Sequence, residues 1–184
     1  MDPEVSRPKL ENTLAHELHH IGYAAACAGP DSTLPARTQT AVRWAGAFGE
    51  GLAMLAAAGG PDIHPHAVSG AEERARWDRD VANVNEDLRR VEAFFLDILD
   101  ERLADPDSVR RAGMSFFGVQ GPWYTVGWKM AATIEQEYGR ERLIQVMCDP
   151  RRLMATYNAA AEAQNARGER LPLWSSSLLA RTAP

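Results

Sequence analysis

A mainly α-helical fold, a bundle of about five to seven helices with little or no sheet, is predicted by three features of this sequence. Apolar residues recur three and four positions apart over long stretches, which sets them on one face of a helix. Glycine and proline fall between these stretches, and sustained period-two alternation is scarce. With 184 residues, 45% of them hydrophobic, the chain is also long enough for one substantial core. The expected organisation is a single helical domain over residues 1–164 and a loosely packed, polar tail over 165–184.

Each element has its own local signals. The first helix is expected to start at residue 12 or 13, with Asn12 or Thr13 as N-cap, and to run to residue 28, where Gly29, Pro30 and Asp31 stop it. A second helix over 36–58 ends at Gly59, Gly60 and Pro61, and residues 62–69, with His64 and His66 around Pro65, form a loop. A long amphipathic helix over 71–103 buries Val81, Val84, Leu88, Val91, Phe95, Ile98 and Leu99 or Leu103. After the Asp105-Pro106 break, residues 115–122 are an apolar loop, and Pro122 suits the first turn of a helix over 123–138. Gly139 ends that helix, a short one follows over 141–147, and Pro150 opens another over 150–164.

Charge and cysteine content narrow the function classes. A formal net charge of -5 without any Lys/Arg-rich tract argues against nucleic-acid binding, which needs clustered positive charge. No stretch approaches the roughly 20 apolar residues of a membrane span, and residues 1–10 lack an apolar leader, so neither membrane insertion nor export is expected. Cys27 and Cys148 allow one disulfide; the preferred reading is two partly buried thiols in a reducing cytoplasm.

The residues that carry chemistry lie in the first helix. His16, Glu17 and His20 spell His-Glu-x-x-His, and residues four apart on a helix share one face, so both imidazoles can converge on a single ion. Glu17 projects from an adjacent face, where its carboxylate can act as base on a water at the metal. Leu14, Leu18, Ile21 and Ala25 supply an apolar stripe at helical spacing beside the motif. A catalytic zinc site takes a third protein ligand and leaves a position for water. Glu50 is the best candidate: Gly49 and Gly51 flank it, and two helix-weakening glycines around one carboxylate suggest the close approach of another backbone, expected to be that of the histidine helix.

With these elements the chain resembles the gluzincin-type zinc metallopeptidases, in which a ligating Glu follows His-Glu-x-x-His on the next helix. Phe48-Gly-Glu-Gly-Leu-Ala53 is similar to the second motif of that group. The resemblance implies a metallohydrolase-like domain that binds zinc through His16, His20 and Glu50, with Glu17 polarising the water. Many members carry an acidic residue four positions after the ligand Glu; here it is Met54, which leaves the support of the ligand histidines unassigned. Pro122-Trp-Tyr-Thr-Val-Gly127 resembles a downstream Tyr-x-x-Gly helix of some small zinc peptidases, and implies that Tyr124 donates to the oxyanion formed when water attacks a carbonyl. An alternative for Tyr124 is a core or rim side chain.

The expected activity is therefore zinc-dependent cleavage of an amide bond in a peptide or small amide substrate. Only fifteen residues precede His16, whereas the group usually has a sheet there that pairs with extended peptide; the chain is a fragment, binds substrate in another way, or is not a peptidase. Two alternatives keep the metal. One is a degenerate metal-binding helical protein that binds a partner; the other is a di-iron bundle, which needs a second Glu-x-x-His that this sequence lacks. His19 is expected beside the site or in solvent, His64 and His66 in a solvated loop, and Trp123 and Trp128 in the core or at its rim. Nothing in the sequence speaks to oligomeric state.

Overall fold

The computed structural model describes residues 6–27 and 32–183, and among these every regular element is helical. The mainly α prediction holds. Helix α1 spans Arg7–Ala26 and starts earlier than expected: Ser6 is its N-cap, accepting from the Lys9 N–H at 3.4 Å, with Pro8 in the first turn. The expected stop at residues 28–31 lies outside the described residues.

The second expected helix keeps its outer limits but is divided. Helix α2 (Ala36–Ala45) passes through a 3-10 turn at Gly46–Phe48 into α3 (Gly49–Ala58), which ends on Gly59 in the left-handed conformation at φ 93°. The long third helix is also divided, into α4 (Ala71–Ala82) and α5 (Val84–Leu99). Asn83 explains the break. Its side-chain amide donates to the Arg79 carbonyl at 3.1 Å, the acceptor a continuous helix would reserve for the Asn83 backbone, whose N–H turns to Asp80 instead. Most of the expected apolar face of α5 is buried: Val84, Leu88, Val91, Phe95, Ile98 and Leu99 lie in the core. Val81 and Leu103 are half-buried.

A further helix, α6 (Pro106–Ser115), grows from the segment read as a break, because Asp105 caps it by accepting from Ser108 N–H at 2.8 Å. Helices α7 (Pro122–Tyr138), α8 (Arg140–Met147) and α9 (Pro150–Asn165) follow the predicted bounds within a residue or two. Residues 166–170 are exposed, but the chain beyond them packs back on the body, unlike the loose tail expected. Asn158 on α9 exchanges hydrogen bonds with the backbone of Trp174 at 2.8 and 3.0 Å, and Trp174 and Leu178, the latter on α10 (Ser176–Thr182), are buried in the core.

Helix α7 is the central element, packed against α3, α5, α8 and α9. Trp123, Val126, Met130, Ala131 and Ile134 on it are fully buried, and the Trp123 indole donates to the Gly113 carbonyl at 2.9 Å. Trp123 is thus a core side chain, and Trp128 sits half-buried against Trp77. Helix α3 approaches α7 closely enough that glycines are required on both. A Cβ on Gly51 would lie 2.0 Å from the Trp128 nitrogen, and one on Gly127 would lie 2.6 Å from the Phe48 oxygen. The glycine at 51 therefore serves α7 rather than the histidine helix, while Gly49 has open space around it.

Helix α1 lies on the outside of this body, against α3. The apolar stripe does not dock it. Leu14, Leu18 and Ile21 are 51–66% exposed, because the face turned to α3 is taken by His16, His20 and their polar neighbours, and one helix cannot bury opposite faces on a single partner. No helix among the described residues is long and apolar enough to cross a membrane.

Cys27 and Cys148 form a disulfide, which corrects the expectation of two free thiols. Disulfides persist in oxidising surroundings, so the expected reducing cytoplasm loses the support that free thiols gave it.

Candidate metal centre

The i, i+4 spacing of His16 and His20 on α1 brings their Nε2 atoms to 3.1 Å from one another. Glu50, in the first turn of α3, faces them: its Oε2 lies 3.4 Å from His16 Nε2 and 3.3 Å from His20 Nε2. These three side chains are the group of potential ligands that converges among the described residues. A tetrahedral ion with bonds of about 2.0–2.1 Å sets its donor atoms about 3.3–3.4 Å apart, so the triangle has the dimensions of one face of a zinc coordination shell. The donor set, two imidazoles and a carboxylate, is also one that zinc takes in catalytic sites.

Electrostatics favour the ligand form of the carboxylate. Burial pushes Glu50 up, but the hydrogen bond with His16, the charge of His20 and the Tyr124 hydroxyl outweigh it and hold the carboxyl below its ordinary value. Glu50 is therefore ionised at neutral pH. Side-chain exposures of 15% for His16, 33% for His20 and 20% for Glu50 leave the cluster partly open to solvent.

Tyr124 comes to the same place from α7. Its ring stacks on His16 with centroids 6.4 Å apart, and its hydroxyl interacts electrostatically with the Glu50 carboxylate. Burial, then Glu50, and then the charge of Glu17 push the phenol up to about 12, so it stays a proton donor across the physiological range. The tyrosine is half-buried, at the rim of the core and not within it. Glu17 is exposed on α1 between the ligand face and the apolar stripe, and its charge reaches Tyr124. Phe117, in the loop before α7, meets the Tyr124 ring edge-on at 6.5 Å.

The remaining histidines are not among the converging ligands, although the His19 ring lies 6.2 Å from that of His20. His19 turns onto Tyr23, with rings 6.1 Å apart, and its Nδ1 is buried without a protein partner. Burial, reinforced by His20 and His16, lowers its pKa. His64 and His66 do not occupy a solvated loop. His64 Nε2 pairs with Asp78 at 2.9 Å, and His66 is buried against Trp77 with its Nδ1 3.0 Å from the Ser69 hydroxyl. Met54, four positions after Glu50, is a buried apolar side chain and offers no carboxylate to the histidines.

A family model described as “Putative zinc dependent peptidase (DUF5700)” matches residues 4–166, which hold all of His16, Glu17, His20, Glu50 and Tyr124. The chain belongs to this family. No curated protein and no solved structure matches it. The family's description names the same metal that the donor set fits, and the match runs through α9 without covering Trp174 or α10.

Sequence reasoning did not find the residues that hold the ligand helix in place. The Asn12 side chain donates to the Ala57 carbonyl on α3 at 3.0 Å, and the Tyr23 hydroxyl donates to the Met147 carbonyl on α8 at 3.0 Å. Their acceptors are backbone groups, which leave no trace in side-chain patterns.

Proposed function

We propose that the protein is a zinc-dependent hydrolase that cleaves an amide bond, most simply in a peptide, with zinc held by His16, His20 and Glu50. The observation that carries this reading is the 3.1–3.4 Å triangle of Nε2, Nε2 and Oε2 atoms, with Glu17 exposed next to His16 in the chain. When bound, zinc supplies Lewis acidity, lowering the pKa of a water and polarising the scissile carbonyl. Glu17, exposed next to the ligands, accepts the proton of the attacking water and delivers it to the leaving nitrogen. Tyr124, neutral and stacked on His16, donates its hydroxyl proton in a hydrogen bond to the oxyanion as negative charge develops there.

The test separates binding from chemistry. Purified protein should contain about one zinc per chain and hydrolyse a peptide library in a chelator-sensitive manner. Glu17→Gln should keep the zinc and lose turnover. If Glu17→Gln hydrolyses peptides as the parent does, the base is misassigned.

One observation favours a second reading, a metal-braced protein that binds a partner rather than cleaving it: the exposed stripe of Leu14, Leu18 and Ile21. Zinc content with no hydrolysis of any amide substrate would support that reading. A di-iron site has no such support, since the described residues bring no second Glu-His pair to the cluster.

A further inference from the structure

Helix α1 has to deliver two of the three ligand atoms, yet it is poorly anchored by the usual means. None of its residues is buried, and its large apolar side chains point to solvent. Burial of an apolar face, which supplies most of the stability of helices in proteins, contributes little here. Beyond its packing along α3, discrete links hold the helix. At its start, Lys9 pairs with Glu73 at 2.8 Å, a surface ion pair of small worth, and Asn12 bonds the Ala57 carbonyl. At its end, Tyr23 bonds the Met147 carbonyl, and the chain leaves α1 through Cys27, which is bonded to Cys148.

The disulfide is the covalent member of this set, and its partner is well founded. Cys148 caps α8, which packs on α7 and α9, so the bond ties α1 directly to the body across a sequence separation of 121. Cys27, the C-cap residue of α1, follows His20 by about two helical turns, close enough for its position to bear on that of the imidazole. Closed, the bond fixes α1 on the far side of the ligands from Lys9 and Asn12. Open, it leaves the Tyr23 hydrogen bond there.

We infer that the Cys27–Cys148 disulfide is a positioning clamp for the zinc ligands, so that its reduction weakens metal binding without unfolding the helical body. This rests on the zinc reading given above. Apparent affinity scales with the fraction of molecules in the binding-competent arrangement. If the opened form keeps α1 docked a tenth of the time or less, the zinc dissociation constant rises about tenfold or more. Linkage demands the converse: bound zinc protects the disulfide from reduction by the same factor. Cys148 is exposed, so a small dithiol can reach it. The exchange balances: the dithiol becomes a disulfide, and its two electrons and two protons convert the protein bond to two thiols.

The experiment uses the full chain in three forms: oxidised, reduced with a water-soluble phosphine, and Cys27→Ser/Cys148→Ser. In the reduction, phosphine takes oxygen from water to give its oxide, and the water protons end on the two thiols. Zinc affinity is measured by competition with a chromophoric chelator, and helix content by circular dichroism. The expected result is at least tenfold weaker zinc binding by the reduced chain and the double variant, with nearly unchanged helix content. In a dithiol redox buffer, the zinc-loaded chain should also stay oxidised at reductant levels that open the zinc-free chain. Equal affinity in all three forms overturns the clamp, as does tighter binding by the reduced chain, which would make the thiols ligands. Should the double variant not fold, the oxidised and reduced forms of the unaltered chain decide the matter alone. Failure of the oxidised chain to bind zinc at all would instead overturn the zinc reading.

Discussion

Substituting Gly51 by alanine should destabilise the protein, while the same change at Gly49, two residues away, should not. A Cβ at Gly51 would stand 2.0 Å from the Trp128 nitrogen and 2.3 Å from the Gly127 carbonyl carbon, against 3.4 Å for ordinary contact. Both obstacles are backbone, so relief requires α3 and α7 to separate by about 1.4 Å rather than a side chain to rotate. Overpacking of this kind costs about 1–3 kcal/mol, and at this chain length each kcal/mol lowers the melting temperature by roughly 2–4 °C. At Gly49 nothing lies within 4 Å and the backbone is helical, so alanine should be neutral or stabilise by about 0.5–1 kcal/mol. Paired thermal melts of Gly51→Ala and Gly49→Ala measure the difference. The separation would also draw Tyr124 on α7 from Glu50 on α3, so Gly51→Ala should lose activity before it loses zinc. A Gly51→Ala protein as stable as the parent would refute the α3–α7 contact on which the site is built.

Other perturbations address the site itself. Glu50→Ala should reduce zinc content well below one per chain in elemental analysis, because two imidazoles remain of the three ligands. Tyr124→Phe should lower kcat by about 100–1,000-fold with zinc content unchanged if the hydroxyl serves the oxyanion; loss of zinc instead would mean that it serves to orient Glu50. Chelator should lower the melting temperature by roughly 5–11 °C, from the roughly 2.7 kcal/mol that a ligand at 100 times its dissociation constant supplies and the temperature sensitivity expected for this length. An unchanged melt would mean that the metal does not join α1 to α3.

The parts of the fold that were legible in the sequence are those whose cause is local. Gly59, Gly139, Pro122 and Pro150 mark helix ends because their own backbone preferences do so. His16 and His20 were readable as a pair because helical periodicity alone brings them together. Asp105-Pro106 carried a start signal too, an N-cap followed by proline, but the same residues also read as a break, and α6 was missed. Causes distant in sequence were not legible. Trp174 packs in the core through a hydrogen-bonded exchange with Asn158, and no periodicity around it announces this. The disulfide joins residues 121 apart. Glu50 was singled out for its glycine neighbours, but Gly51 makes room for Gly127 on α7 and not for the histidine helix, and α7 also carries Tyr124, which stacks on His16.

The most direct test is zinc-edge X-ray absorption on the zinc-loaded protein, measured beside Glu17→Gln and Glu50→Ala. The triangle of His16, His20 and Glu50 predicts two imidazoles and oxygen donors at about 2.0–2.2 Å, no sulfur, the same spectrum for Glu17→Gln, and a lost or altered site for Glu50→Ala. A sulfur shell, or a Glu50→Ala spectrum identical to the parent's, would contradict it.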